Sequence, residues 1–468
     1  MDIIKIKSII LNDFDRRRQI LSEKKYYTND NQIKDKGITT GDNEDPIRTA
    51  DNRISHNFHQ LITDEKTAYM FTYPVLFDVG KEDLNKTIKE CLGDDFKSES
   101  AYLCTNATNN KVAWLHYWID DENKDKKTFE YATIETEQCI PIFDASLKKK
   151  LIGFYRYYPS IEEDEKGRKK YYVWFEYWDN KHCETYKFQG NLEGTGLTYI
   201  PDGYKQFEHD LGEVPFIEFK NNRNMISDLH KYKDLIDIYD RVMSGYANDL
   251  DDIQQLIYII ENYGGENLKD FLGDLKRYKA IKTETTSSGT KGDVRTLSID
   301  IPVEARNSIL DILKKQIYES GQALQQDNED FGNASGVALK FFYRKLELKA
   351  GLTQIEFEKG FNKLIRAILK FNKAKDYESI SITQTWTRNM ISNDLENAQI
   401  AAESKDIISD ETIVKNHPWV EDPVEEMKKI KEQKAENIKI QQQTFGSSGG
   451  FNDSSDNSNN DNNTSKKE

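Results

Sequence analysis

Four cysteines in 468 residues leave little material for a disulfide or zinc framework. Cys91, Cys104, Cys139 and Cys183 lie far apart, form no CxxC pair, and have only His182 close beside one of them, so the spacing predicts reduced thiols in a cytoplasmic setting. No apolar run approaches the roughly 18 residues that a bilayer crossing needs. Near the start, Ile3, Ile4, Ile9, Ile10 and Leu11 are interrupted by Lys5 and Lys7, a pattern too short and too charged for a secretory leader. Positive charge is also scarce: 66 Lys and Arg stand against 81 Asp and Glu, a formal net charge of -15. Phosphate affinity comes from clustered cations releasing counterions, so any contact with DNA is expected to be loose.

The usual signatures of catalysis are missing as well. Gly289-Thr-Lys-Gly-Asp lacks the spaced second glycine of a nucleotide-phosphate loop, which argues against ATP hydrolysis. Seven scattered histidines make no Ser/His/Asp or Cys/His grouping, so nucleophilic catalysis has no support and the chain is expected not to be an enzyme. His56 and His59 share a helix face without a third ligand at suitable spacing, and are expected to make ordinary polar contacts rather than hold a metal. The acidic run Glu162 to Glu165 leads into Lys166, Gly167 and Arg168 between two aromatic strands, which reads as a solvated hairpin tip. Asn106-Ala-Thr108 and Asn333-Ala-Ser335 match the glycosylation pattern by chance in a chain with no secretory signal.

What the chain does have is aromatic bulk, 25 Tyr and 22 Phe, and enough length for two or more folding units. Residues 1 to 27 read as a helical arm, with a polar loop after it, and Asn52 to Phe71 as a helix ending at Tyr73-Pro74. Between Leu103 and Phe219 alternation and aromatic runs predict about six short strands in one antiparallel sheet: Val112 to Trp118, Phe129 to Ile134, Cys139 to Phe143, Leu151 to Tyr158, Tyr171 to Trp178 and Pro215 to Phe219. Ser227 reads as a cap before a stripe of Leu235, Ile238, Tyr239, Val242, Tyr246, Leu250 and Ile253. A strand from Leu256 to Tyr263, a short helix from Leu268 to Leu275 and a hairpin of Ala280 to Thr283 with Val294 to Ile301 follow. Pro302 opens a second helix ending near Gly321, and after a polar stretch the longest helical pattern begins at Gly336, with Gly351 and Gly360 as places where it can kink. Ile380 to Trp386 reads as a strand, Asp394 to Ser404 and Asp422 to Ile438 as helices with Asp422 capping and Pro423 at the first helical position, and Gln441 to Glu468 as a disordered tail.

The order is the informative part: a mixed α+β body, one helix out, a compact strand-rich excursion, one helix back, a polar loop, then a very long helix. A two-helix stalk with a small tip cannot bury both helical faces in one monomer, so lateral copies are required.

Three segments carry a resemblance that covers most of the ordered chain. They are Asp51-Asn-Arg-Ile-Ser-His-Asn-Phe58 through Asp64-Glu-Lys-Thr-Ala-Tyr69 and Tyr73-Pro74; Ser227-Asp228-Leu229 through Asp234-Leu-Ile-Asp-Ile-Tyr-Asp240 and Asn248-Asp249; and Phe331-Gly-Asn-Ala-Ser-Gly-Val-Ala-Leu-Lys340 through Leu346-Glu-Leu-Lys349. In order and spacing the sequence resembles the portal proteins of tailed bacteriophages that infect Gram-positive bacteria.

That resemblance implies a dodecameric ring at one capsid vertex of the virion, assembled in the host cytoplasm, for packaging and ejection of double-stranded DNA. It implies an N-terminal arm and loop (1–50), a wing (51–225), a first stem helix (226–252), a clip (253–302), a second stem helix (303–320), a tunnel loop (321–335), a long helix with a returning wing strand (336–393), crown helices (394–440) and a tail (441–468). The clip, with loop residues Thr285, Ser287, Ser288 and Lys291, would dock terminase and later the head-to-tail connector; major capsid and scaffolding proteins are further partners, and neither cofactor nor membrane is implied. The loop residues Gln322, Gln325, Gln326, Asn328 and Asn333 suit a non-adhesive contact with passing DNA. Lys340 and Arg344, one helical turn apart, suit either weak contacts to the DNA backbone or ion pairing with Glu347. Two other readings stay open: a DNA-processing enzyme, revived by metal-dependent cleavage or nucleotide turnover, and a non-viral helical scaffold or adaptor, which predicts rods and no strand-rich tip.

Overall fold

The computed structural model describes residues 1–35, 50–120, 127–192, 196–252, 257–261, 293–297, 302–324, 336–389, 394–405, 407–415, 417, 419–420 and 422–446. They divide into two units, Met1–Ala334 with Lys340–Met390, and Ser335–Leu339 with Ile391–Glu468.

The first unit opens with α1 (Ile3–Asn12) and α2 (Phe14–Tyr27), separated only by Asp13, then α3 (Gln32–Asp35). An extended segment leads into α4 (Phe58–Phe71), so the expected helix from Asn52 starts six residues later. The delay has a cause: the backbone N–H groups of Asn52, Ile54 and His56 donate to side chains of a distant helix, which holds the segment extended. The short strand β1 (Leu76–Asp78) precedes α5 (Glu82–Leu92) and α6 (Phe96–Asn110), two helices in a stretch where the sequence reading placed none.

All six expected strands are present: β2 (Val112–Asp120), β3 (Thr128–Ile134), β4 (Cys139–Phe143), β5 (Leu151–Glu163), β6 (Lys169–Trp178) and β9 (Phe216–Lys220). Two more, β7 (His182–Gln189) and β8 (Thr198–Glu208), were not foreseen, and the strands form two antiparallel sheets rather than one, β3-β2-β9 and β4-β5-β6-β7-β8. β2 explains the split. Ala113, Leu115 and Tyr117 face a helical core, while Val112 and Trp114 face the five-stranded sheet, so the strand is buried on both sides and reads as a continuous apolar run. Between the sheets Phe154 and Phe216 stack with ring centroids 3.8 Å apart, and Trp114 and Trp178 close around them. On the other face of the larger sheet, Ile6 and Ile10 of α1 cover Tyr157, Phe175 and Phe188. The β5–β6 tip is a solvated turn as expected, with Asp164 accepting from the N–H groups of Lys166 and Arg168 and Gly167 at φ +71°.

After β9, a 3-10 turn (Leu229–Lys231) precedes α7 (Lys233–Asp252). Ser227 therefore is not the cap of this helix: it is fully buried five residues short of Tyr232, whose carbonyl accepts from Ile236 N–H. β10 (Ile257–Glu261) pairs antiparallel with β11 (Asp293–Leu297), so the strand expected from Leu256 finds its partner in the one expected from Val294. The expected helix at Leu268 to Leu275 and strand at Ala280 to Thr283 lie outside the described residues. α8 (Val303–Gly321) follows Pro302 and packs antiparallel on α7.

α9 (Gly336–Phe371) is the longest element, 36 residues or about 54 Å at 1.5 Å per residue. Leu346, Ala350, Phe357, Phe361, Leu364, Ile365 and Ile368 bury one side of it against α4, α5, α6 and the inner face of the small sheet. Gly360 serves close packing: a Cβ there would lie 2.5 to 2.8 Å from the ring of Phe219. The strand expected from Ile380 shortens to β12 (Thr383–Thr385), paired with β1.

The second unit holds α10 (Asp394–Glu403), α11 (Asp410–Lys415) and α12 (Pro423–Gly446). Asp422 Oδ1 accepts from the N–H groups of Val424 and Glu425, the expected cap with proline at the first helical position. α12 continues through Gly446, past Gln441 where a disordered tail was expected to begin. Its charged residues sustain it in pairs such as Lys429 with Glu425, and Lys434 ties it to Asp410 of α11.

Candidate functional site

The site of interest is the place where the two stalk helices meet the body, because α8 ends there and the expected tunnel loop follows it. Seen from α7, polar residues recur at helical spacing: Asp237, Asp240, Ser244, Asn248 and Asp251. Each is used. Tyr26 Oη donates to Asp237 at 2.5 Å, and Asn31 Nδ2 and His56 Nδ1 contact Asp240 at 2.6 and 2.8 Å. Ser244 Oγ accepts from Ile54 N–H at 3.0 Å, Asn248 Oδ1 from Asn52 N–H at 2.6 Å, and Asp251 from Asn52 Nδ2 at 2.6 Å. This polar stripe straps residues 50–57 along the helix. The sequence reading attended only to the apolar stripe beside it, although a three-and-four repeat of Asp, Ser and Asn was equally visible.

On the α8 side, Ile236 of α7 meets Ile317, while Leu310 and Leu313 are buried along the rest of the helix pair. Arg306 pairs with Asp249 and lies over the ring of Tyr246, 5.3 Å from its centroid. Ile238 on α7 and Val303, Ile309 and Ile312 on α8 remain exposed. The polar stripe of α7 is thus satisfied within the chain, while these apolar side chains stand exposed among polar neighbours.

At the root of the stalk the pattern reverses. Asp228, Lys66 and Lys349 are all buried. Lys349 Nζ lies 2.8 Å from Asp228 Oδ2 and donates to Gly321 O at 2.8 Å, while Lys66 Nζ lies 3.6 Å from Asp228 Oδ2 and donates to Asn221 Oδ1 at 2.5 Å and Thr108 Oγ1 at 3.2 Å. Asn221 Nδ2 completes the carboxylate from its other oxygen at 3.0 Å. Burial by itself would raise the Asp228 carboxyl, but Lys349, Lys66 and Lys231 outweigh it and hold the group well below the usual carboxylate range. Burial lowers Lys349, with Asp228 working against the shift. Beside them His59 is buried with Nδ1 2.8 Å from Tyr232 Oη, and burial brings it down to about 4. Of the two histidines expected on one helix face, His56 lies ahead of α4 and contacts Asp240, while His59, within the helix, contacts Tyr232.

The cluster fastens four elements: α4 through Lys66, the entry to α7 through Asp228, the end of α8 through Gly321 O, and α9 through Lys349. It also holds the start of the expected tunnel loop. Gln322 adopts left-handed backbone at φ +53° as α8 ends, and Leu324 N–H donates to the Glu65 carboxylate at 3.1 to 3.2 Å. Burial raises Glu65, against the opposing pull of Leu324 N–H and Lys349.

Of the residues singled out from sequence, Gln322 stands at this root, and Gln325, Gln326, Asn328 and Asn333 lie outside the described residues, as do Thr285, Ser287, Ser288 and Lys291. Lys340 sits in the second turn of α9 with its side chain outside the described set, and Arg344 is exposed one turn on. Glu347 is taken by Tyr69 Oη at 2.6 Å and Arg388 at 3.1 Å, and among the described residues it makes no ion pair with Arg344. The ion-pair alternative for Arg344 therefore does not hold in this structure. The junction cluster itself was missed.

Comparison with known proteins bears on the whole of this architecture. The family described as phage portal protein, SPP1 Gp6-like, matches residues 6–439. The portal protein of Clostridium phage phiCD119 is 52% identical over 439 residues, covering 92% of this chain and 95% of that protein. The portal protein of Bacillus phage SPP1 is 31% identical over 456 residues, covering 93% and 87%. Among solved structures, one titled as the neck of an empty GTA particle computed with C6 symmetry overlaps 76% of this chain and 87% of its own at 10% identity and a TM-score of 0.40, too low a score to add weight. On the family match and the two relatives, the chain belongs to the SPP1-type family of phage portal proteins.

Proposed function

We propose that the chain is one subunit of a ring at a capsid vertex, through which double-stranded DNA enters and leaves the virion, and that it performs no bond-making chemistry. The observation that carries this reading is the stalk: two antiparallel helices on which the polar stripe of α7 is bonded within the chain while Ile238, Val303, Ile309 and Ile312 stand exposed. Such faces are stable when neighbouring copies cover them. In this reading α7 and α8 are the stem, β10 and β11 belong to the clip, the two sheets with α4 to α6 and most of α9 make the wing, and α10 to α12 make the crown.

The clip loop with Thr285, Ser287, Ser288 and Lys291 meets terminase and later the head-to-tail connector, and major capsid and scaffolding proteins surround the ring. The loop after Gln322, with Gln325, Gln326, Asn328 and Asn333, faces the channel, and Lys340 and Arg344 make weak contacts to the DNA backbone. A net charge of -15 supports a conduit that does not grip. The test is negative-stain electron microscopy of the purified full chain: rings with a central hole are expected, and monomers alone across a wide concentration range would overturn the reading. A deletion of Gln325 to Asn333, which spares the anchors at Gln322 and Leu324, is expected to leave rings intact and to impair filling of heads with DNA.

A further inference from the structure

The first half of α9 is apolar on two sides, and only one is buried. Phe341, Leu348, Leu352 and Ile355 are 67%, 59%, 61% and 53% exposed and fall within about 60° of the helix circumference, a stripe about 21 Å long. A second stripe runs along the N-terminal arm. Ile4, Leu11, Phe14 and Leu21 are 77%, 57%, 38% and 41% exposed, and they continue across the single residue Asp13 for about 25 Å.

Both stripes repeat at seven residues: Phe341, Leu348 and Ile355 in one, Ile4 with Leu11 and Phe14 with Leu21 in the other. That shared period lets one helix seam seat in another. The helices that carry them pack on different sides of α4. α2 reaches α4 through Tyr27 Oη, which donates to Asp64 at 2.7 Å, while α9 reaches it through the Tyr69–Tyr343 ring stack at 5.7 Å. Asp64 and Tyr69 are about 140° apart round the α4 axis at 100° per residue.

We propose that the apolar stripe on α9 of one copy receives the α1–α2 stripe of the next, a head-to-tail seam between wings. Two unlike surfaces on different sides of one subunit give a heterologous contact, the type that closes into rings. The proposal rests on the ring reading above and adds to it the surface and the occupant.

The test is the double variant Leu11→Cys/Leu348→Cys of the full chain, treated with a short bismaleimide after rings are isolated by negative-stain inspection. These positions lie near the middle of each stripe, so they meet whether the helices run parallel or antiparallel. A ladder of covalently joined copies in the double variant, and none in either single variant or in the parent chain, supports the seam. Rings without a ladder overturn the seam and leave the ring reading standing, with another protein of the virion as the cover for α9. A linked band at monomer mass shows the stripes meeting inside one copy and also overturns it. Absence of rings in the parent chain as well overturns both. As a second readout, Leu348→Lys with Leu352→Lys is expected to raise the concentration for half-assembly at least tenfold with unchanged circular dichroism, whereas Leu147→Lys, fully exposed away from both stripes, leaves it unchanged. Equal effects of the two would sink the seam.

Discussion

The root of the stalk and its shaft, joined through the same two helices, are built with opposite polarity. At the root two lysines and an aspartate are buried in the body; along the shaft isoleucines stand in water. Neither arrangement is stable for its own sake. A buried ion cluster seldom adds net stability over a well-packed apolar one, but it is very sensitive to loss of a partner, which suits a joint that must hold four elements in one geometry. An exposed apolar face costs solubility unless something covers it. The difference teaches that the root is finished within one chain and the shaft is not.

The sharpest way to break that contrast is at the root. Asp228→Ala removes the one carboxylate between Lys66 and Lys349 and leaves two cations buried without it. A loss of roughly 3–5 kcal/mol in urea unfolding is expected. Lys349→Met in the same background is expected to recover part of that loss, because it removes one of the stranded charges. A loss below about 1 kcal/mol for the single variant would show that the cluster is not a closed joint.

The same cluster sets an acid limit. Folded His59 titrates at about 4 against about 6.5 for an unfolded histidine, so the fold favours its neutral form. Its contribution is present in full above about pH 6.5 and is lost as pH falls from there to about 4, a change of roughly 3 kcal/mol. Unfolding midpoints measured across that window should drop with acid, and His59→Gln should flatten the dependence. An unchanged slope in the variant would place the acid sensitivity elsewhere.

How much of this was legible in the sequence depended on whether a segment's side chains follow one period. α9 does, and was found; the six expected strands were found by alternation or, as in β2, by a continuous apolar run between turns. β7 keeps no single period: Cys183 and then Tyr186 and Phe188 are buried, and a register shift between Thr185 and Lys187 changes the parity midway. β8 carries Pro201-Asp202-Gly203, which reads as a turn, yet Gly203 lies so close over Lys187 that a Cβ there would be 2.3 Å from the Lys187 Cβ. α6 hides for another reason. Its last turn and a half, Asn106 to Asn110, is buried and polar except for Ala107, with Thr108 accepting from Lys66, so the helix lacks an apolar stripe just where it helps to build the site. α5 is different again, since Leu84, Ile88, Cys91 and Leu92 have helical spacing and were legible. The junction was beyond sequence reasoning because Lys66, Asp228 and Lys349 come from three distant segments, each ordinary in its local setting.

A smaller effect is expected within the body at Gly360→Ala. The added Cβ meets the fully buried ring of Phe219, which has no free end to swing away. Overpacking of this kind costs roughly 1–3 kcal/mol. Denaturant unfolding of Gly360→Ala beside Gly351→Ala, where a Cβ meets nothing within 4 Å, separates packing from helix propensity, since the second change should be neutral or slightly stabilising.

The smallest effect on stability belongs to the shaft, and its smallness is the point. Ile312→Asp places a carboxylate where the isolated chain already meets water, so the unfolding free energy of the monomer should move by no more than about 0.5 kcal/mol. If the shaft is completed by neighbouring copies, the same carboxylate enters an apolar contact without a partner in every repeat of the ring, once for each subunit. Analytical ultracentrifugation of the variant should then show monomers where the parent chain shows rings, with unfolding curves that superimpose. Rings formed as readily by Ile312→Asp as by the parent would mean that this face stays wet in the assembly, and the contrast between a finished root and an unfinished shaft would lose its second half.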